Sequence, residues 1–272
     1  MNSQRNLELL VISDVHLGTY GCHAKELLHY LKTVNPNKLI LNGDIIDMWN
    51  FSKSYFPSSH MDVIRQIMKM ASNGTQVYYV TGNHDEMLRK YSDLQLGNLE
   101  IVDKLLLDID GKKMWIFHGD VFDSSTKGYA KLLAKLGGKG YDFLILINRF
   151  INWLLQLVGK EKLSISKMVK DGVKKAVAFV SDFESTAAEI AIEKEYDYVI
   201  CGHIHMPKIK TIKNDKGSVT YMNSGDWIEN LTSLEYHEGK WTIFHYDQSY
   251  INLVHPQEKF QQENIVMKIL AS

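Results

Sequence analysis

Short apolar runs recur through the first half of the chain, each ended by polar turn residues and followed by apolar positions at helical spacing. Leu7 to Ile12 is a buried-strand run that stops at Ser13-Asp14, and Lys25 to Leu31 then has helical spacing. Lys38 to Leu41 is a second strand, ending at Asn42-Gly43-Asp44, and Met61 to Met70 is a second helix. Gln76 to Val80 is a third strand, ending at Thr81-Gly82-Asn83-His84. Strands separated in this way by helices predict βαβ units and a parallel sheet.

The pattern then changes. Lys104 to Ile109 and Lys113 to Phe117 read as strands joined through Asp110-Gly111, a hairpin turn sequence. The second of them ends at His118-Gly119-Asp120. The stretch from Ser124 to Glu195 is mostly helical in pattern, and Tyr198 to Ile200 leads into Gly202-His203-Ile204-His205. Lys208 to Lys213, Ser218 to Asn223, Thr232 to Tyr236 and Lys240 to Tyr246 follow as antiparallel strands, with turns at Asn214-Asp215 and Glu238-Gly239. From about Gln248 the periodicity fades, which predicts a tail or a docking helix.

Composition narrows the class. The 272 residues suffice for one large α/β domain or two small ones, and the hydrophobic (45%) and charged (23%) fractions are those of a soluble globular chain. The net charge of −1 argues against general nucleic-acid binding. Cys22 and Cys201 form no CxxC pair, which fits a reducing compartment, and the first residues do not read as a secretory leader. Both favour the cytoplasm. Tyr141 to Val158 is strongly apolar, but Asp142, Asn148, Arg149, Asn152 and Gln156 interrupt it. A span needs about 20 nearly unbroken apolar residues, so this stretch is read as an amphipathic helix.

The chemistry lies at the strand ends. Five of them finish in residues that bind hard or borderline metals: Asp14-Val15-His16, Gly43-Asp44, Gly82-Asn83-His84-Asp85, His118-Gly119-Asp120 and Gly202-His203-Ile204-His205. Loops beyond the carboxyl ends of strands converge on ligands in open α/β sheets. Taken singly, each has an ordinary explanation, since an Asp after a strand often caps a helix or a turn. Five in succession, each after an apolar run, point to a metal site. The donors are oxygen and nitrogen without thiolate, which suits Mn²⁺, Fe or Zn²⁺. Two histidines at i and i+2 can address different ions, and one carboxylate can bridge two.

In order, the motifs DVH, GDIID, GNHD, HGD and GHIH resemble the calcineurin-like metallophosphoesterases over roughly Leu7 to Tyr236. That resemblance implies an α/β fold of two mixed β-sheets in a sandwich flanked by helices, spanning 1–247, with a helical lid insertion at about 124–195 and a tail at 248–272. It implies two divalent ions, Mn²⁺ first among the candidates. Asp14, His16 and His205 would hold one ion, Asn83, His118 and His203 the other, and Asp44 would bridge. His84 would protonate the leaving group or neutralise its charge. Asp85 would orient His84 or cap the turn, and Asp120 likewise is either a support of the site or a cap.

A closer resemblance is to the UDP-2,3-diacylglucosamine hydrolases of lipid A synthesis. It rests on Asp47-Met48-Trp49 after the GD motif, on Gly128-Tyr129 after HGD, on the long insertion and on the complete ligand set. Many of those hydrolases carry Arg after the ligand Asn, where this chain has His84, the pattern of the wider superfamily. The resemblance implies an acylated UDP-sugar as substrate, with Trp49 and Tyr129 lining its groove and Lys174 and Lys175 meeting phosphate. Between Lys127 and Lys175 the chain carries eleven basic and three acidic residues, net +8, which leaves −9 elsewhere. Basic residues flanking an apolar helix suit an anionic membrane surface, here the cytoplasmic face of the inner membrane, with the protein peripheral to it. The same composition also fits an ordinary helical subdomain with solvated lysines. Alternative functions are a soluble phosphodiesterase or phosphatase on nucleotides or phosphoproteins, and a binding scaffold on the same fold. Scaffolds of that kind lose ligands, and all seven positions are filled here. No nucleic-acid module is evident.

Overall fold

The computed structural model describes residues 4–49, 55–122 and 180–247. Tyr129, Lys174, Lys175, the apolar stretch from Tyr141 to Val158, most of the expected insertion and the tail from Gln248 lie outside the described residues.

In chain order the described elements are β1 (Arg5–Ile12), α1 (Ala24–Thr33), β2 (Val34–Asn42), α2 (Ser58–Ser72) and β3 (Gln76–Val80), then a 3₁₀ turn (Glu86–Tyr91). They continue with β4 (Gln95–Leu96), β5 (Leu99–Val102), β6 (Leu105–Ile109) and β7 (Lys112–Ile116), and with a helix, α3, over 180–193. The last are β8 (Tyr198–Cys201), β9 (Lys208–Asn214), β10 (Gly217–Asn223), β11 (Thr232–His237) and β12 (Lys240–His245). One sheet has the order β12-β11-β1-β2-β3-β5-β4, the other β6-β7-β8-β10-β9. β1, β2, β3 and β5 run parallel in the first, and β7, β8 and β10 in the second, with antiparallel strands at the edges of both.

Side-chain alternation along the strands builds four layers. Leu9 and Val11 of β1, Ile40 of β2, Met114 and Ile116 of β7 and Ile200 of β8 meet between the sheets. The alternate residues Leu10, Ile12, Leu39 and Leu41 pack against Leu27, Leu31, Val63 and Ile67 of α1 and α2. On the far side Val199, Cys201, Val219 and Tyr221 pack against Phe183, Ala187, Ala188 and Ala191 of α3. The small alanines let α3 lie close to the sheet. Of the three turns read, Asp110-Gly111 and Glu238-Gly239 stand, with positive φ at both central residues, the geometry that matches strand twist; the third lies one residue later, at Asp215-Lys216 between the paired Asn214 and Gly217.

Two features differ from the sequence pattern. β2 begins at Val34, directly after α1, and contains Pro36. Pairing with β3 starts only at Lys38, so the proline stands beyond the end of that ladder, on what is locally an edge. The Thr75 hydroxyl donates to the Pro36 carbonyl there at 2.9 Å. Between His84 and Leu105 the chain forms the 3₁₀ turn, β4 and β5, where the pattern suggests nothing regular. β5 has only four residues, and only Ile101 and Val102 are buried, too few for a period to show.

Among the described residues no helix is long and apolar enough to cross a membrane. β1, β2 and β3 are parallel within one sheet and β7 and β8 within the other, and the loops at their carboxyl ends meet at one rim, where His203 N–H donates to Asp14. Ile40 lies fully buried between the sheets. Ile40→Ala is expected to cost about 2–5 kcal/mol, read as a lower denaturant midpoint at unchanged slope.

Candidate metal centre

Backbone hydrogen bonds carry the pairing of β1 and β2 past the strand ends. Asp14 N–H donates to the Gly43 carbonyl (3.1 Å), Val15 and His16 N–H both donate to the Asp44 carbonyl (3.0 and 2.9 Å), and Leu17 N–H donates to the Ile45 carbonyl (2.9 Å). Asp14, His16 and Asp44 are thereby fixed side by side. The Gly202 N–H donates to the His118 carbonyl (2.9 Å) and joins the β7 and β8 loops in the same way. His203 N–H then donates to both Asp14 carboxylate oxygens (3.2 and 3.1 Å), and His84 N–H donates to Asp44 Oδ1 (2.8 Å).

The backbone is strained where these side chains start. Among the described residues ten non-glycine positions have positive φ, and Asp14, His16, Asp44, His203 and His205 are five of them. Such conformations cost of order 1–3 kcal/mol each and gather at functional sites. Two glycines are required by close approach. A Cβ on Gly82 would strike the Asp44 carboxylate, and one on Gly202 would lie 2.7 Å from Asp14 Oδ2.

Three donor groups result: Asp14, His16 and His205; His16, Asp44 and His84; and Asp44, His118 and His203, each with ligand atoms within 4.8 Å of one another. Asp44 and His16 each belong to two groups. His205 Nε2 lies 3.1 Å from Asp14 Oδ1, and His118 Nε2 lies 3.3 Å from Asp44 Oδ2. Asn83 sits between Gly82 and His84, both of which touch Asp44.

The ring tautomers favour metal. His118 Nδ1 donates to the Asn42 carbonyl (2.9 Å), which leaves Nε2 with the lone pair. His16 Nδ1 faces Asp47 Oδ2 at 3.3 Å, the carboxylate–imidazole arrangement that supports a metal-ligating Nε2. His16 Nε2, His118 Nε2 and Asn83 Oδ1 are buried and have no hydrogen-bond partner. Buried polar atoms seldom go unsatisfied, and these three are the atoms a pair of cations would use. The donor set therefore fits two divalent ions.

Charge says the same. Burial pushes the Asp14 and Asp44 carboxyls up, and the imidazoles beside them more than reverse it: His205 lowers Asp14 and His118 lowers Asp44. Burial pushes His118 and His205 down, but Asp44 and Asp14 hold them up at about 10 and about 9. Protons on the imidazoles supply positive charge where cations would.

Of the two roles open to Asp85, its contacts are those of a turn brace, and another carboxylate stands against His84. Asp85 accepts from Gly82 N–H (2.6 Å), Ile45 N–H (2.9 Å) and the Tyr79 hydroxyl (2.6 Å), so it braces its own loop against β2 and β3. Asp47 instead stands against His84, Oδ2 to Nδ1 at 3.0 Å, while its Oδ1 accepts Trp49 N–H. Burial lowers His84, but Asp47 and Asp44 raise its pKa above the ordinary imidazole value. Trp49 is half-exposed, and its ring lies on that of His84 at 4.6 Å.

One loop has no counterpart among the expected site residues. Trp227 N–H donates to the Asp14 carbonyl (3.1 Å), the Asn223 amide donates to the Gly202 carbonyl (2.7 Å), and the Asn230 amide donates to the His205 carbonyl (2.9 Å). Asp226 ties this loop together by accepting Ile228 and Glu229 N–H. The signal was the same one that marked the other loops, an apolar strand ending in Asn223-Ser224-Gly225-Asp226.

Residues 7–207 match the calcineurin-like phosphoesterases. The chain belongs to that family. It is a metal-dependent phosphoesterase, a hydrolase. A protein of Aliivibrio fischeri named UDP-2,3-diacylglucosamine hydrolase is 25% identical over 235 residues, 85% of this chain and 95% of that one. A protein of the same name from Neisseria gonorrhoeae is 26% identical over 237 residues, 86% and 95% of the two chains. Among solved structures, a dimetal phosphatase from Danio rerio superposes with a TM-score of 0.40 at 12% identity, over 87% of this chain and 95% of that one.

A cation that binds only the folded phosphoesterase stabilises it by about 2.7 kcal/mol at a hundredfold excess over its Kd. Mn²⁺ is expected to raise the melting temperature of the EDTA-treated chain by several degrees. Asp44→Asn should remove most of that rise, as followed by scanning fluorimetry.

Proposed function

We propose that this phosphoesterase hydrolyses UDP-2,3-diacylglucosamine to 2,3-diacylglucosamine 1-phosphate and UMP, at the cytoplasmic face of a membrane, with Mn²⁺ as the working metal. The observation that carries the hydrolytic part is the set of three unpartnered buried ligand atoms around two ionised carboxylates. The names of relatives that match most of the chain support the substrate.

Two divalent ions, when bound, neutralise phosphate oxygens and lower the pKa of water enough for attack at neutral pH. Asp14, His16 and His205 are assigned to one ion, Asn83, His118 and His203 to the other, and Asp44 to both. His84 donates a proton to the departing oxygen. Asp47 supports this role: its Oδ2 stands 3.0 Å from Nδ1, which leaves Nε2 for the substrate, and against the lowering effect of burial it raises the pKa of the ring. The open face of Trp49, beside His84, is assigned to the groove wall. Residues 1–247 form the catalytic domain, with the basic helical stretch of 124–195 inserted in it. Tyr129, Lys174 and Lys175 in that stretch meet substrate.

A second reading has one feature in its favour. His84 stands where many hydrolases of acylated UDP-sugars carry Arg, so a soluble phosphodiester or phosphomonoester is the competing substrate. The Mn²⁺-loaded enzyme is to be assayed on UDP-2,3-diacylglucosamine in detergent micelles and on bis-p-nitrophenyl phosphate and soluble nucleotides. Release of UMP from the acylated substrate at much the highest kcat/KM is expected, and preference for a soluble ester overturns the substrate assignment. His84→Ala is expected to lower kcat by about 10²–10⁴-fold with bound metal unchanged. Loss of metal in that variant would make His84 a ligand instead.

A further inference from the structure

The segment that carries Asn83 and His84 runs from Thr81 to Arg89, and both of its ends meet one oxygen. Asp103 Oδ1 accepts the Thr81 hydroxyl at 3.3 Å and Arg89 Nε at 2.7 Å. Arg89 Nη2 then reaches across to Asp120 Oδ2 at 2.7 Å. Asp120 lies two residues beyond His118. One guanidinium thus closes the loop of Asn83 on itself and fastens it to the loop of His118.

Beyond the bonds within its own turn, the far end is also held by Leu88, which is partly buried against the core. Asp85 pins the near end, through Gly82, Ile45 and Tyr79. The 3₁₀ turn that follows, Glu86–Tyr91, has no buried residue. The two ion pairs differ in setting: the Asp103 side chain is 51% exposed and that of Asp120 only 10%. The exposed pair with Asp103 is worth roughly 0–1 kcal/mol, so the bridge depends on the more buried pair with Asp120. A rigid planar fork with fixed donor directions supplies distance and angle.

We propose that Arg89 is a positioning residue for the second ion, a strut that sets the separation of Asn83 from His118. This rests on the ligand assignment above, in which those two residues share an ion with His203. The strut explains why Asp120 belongs to the site without touching it, and why Thr81 and Asp103 belong with it.

The test is Mn²⁺ binding to the full chain, by equilibrium dialysis and by the electron paramagnetic resonance spectrum, which separates a coupled ion pair from a single ion. Wild type is expected to bind two ions. Arg89→Ala should keep one ion at unchanged affinity and bind the other about tenfold or more weakly, with loss of the coupled signal. Arg89→Lys, whose single ammonium cannot span both carboxylates, should restore part of the second site. Asp120→Asn should weaken the same ion, and adding it to Arg89→Ala should add little. Arg89→Lys and Asp120→Asn carry the test should Arg89→Ala fail to fold. A lower melting temperature with both affinities unchanged, or equal loss of both ions, overturns the strut. Two ions in wild type and two at the same affinities in Arg89→Ala overturn the strut alone. A single ion in wild type overturns the ligand assignment and the strut with it.

Discussion

Two carboxylates buried side by side set the terms for this structure. Asp14 is 0% and Asp44 2% exposed, and a buried charge without compensation is among the most destabilising things a fold can contain. The compensation is local and nearly complete. Backbone N–H groups of His203 and His84 face the carboxylate oxygens, and five imidazoles surround them. The alternation that buries Leu9 and Val11 on one side of β1 and Leu10 and Ile12 on the other serves mainly to bring that strand end to this point. The loops then take left-handed conformations that only a well-packed scaffold can hold.

Much of this was legible in the chain, because strand ends are where period-two burial meets chemistry. The runs at Leu7, Lys38, Gln76, Lys113 and Tyr198 become β1, β2, β3, β7 and β8, and each delivers its polar residues to one rim. The fold of two mixed sheets with flanking helices came from the family resemblance that the motif order carries, whereas the apolar pattern alone gave βαβ units and later antiparallel strands. What the pattern missed has physical causes. β5 pairs through four residues and so shows no period, and β2 tolerates Pro36 only because β3 has not yet begun beside it.

At Asp85 the sequence left two roles open, and the contacts fit the turn brace. Asp85 follows His84 directly, yet successive side chains on a tight loop point apart, and Asp85 turns inward to Tyr79 and two backbone amides. Asp47 is remote in sequence, but the Asp44–Trp49 loop runs beside His84: Met48 N–H donates to the His84 carbonyl at 3.0 Å. Three residues after Asp44, the chain has turned enough to present a second carboxylate to both His16 and His84. A GD motif with another Asp three residues on was the available sign. The loop from Asn223 to Asn230 was missed for a different reason. Its strand end carries the same polar sign as the others, but its work is done by backbone and amide groups that hold carbonyls of Asp14, Gly202 and His205, not by side chains assigned to metal.

The sign of the site fixes an order of events. Asp14, Asp44, Asp47, Asp85 and Asp226 are all nearly or fully buried around it. A phosphate brought to that cluster without metal would meet buried carboxylates whose charge is only balanced by protons on neighbouring rings. Two dications held by these residues would take the place of those protons and reverse the local sign, since bound cations outweigh every other local charge. Metal would therefore precede the anionic substrate. The charge of the chain is uneven in the same sense: net −9 outside Lys127–Lys175 favours cations, against +8 within that stretch.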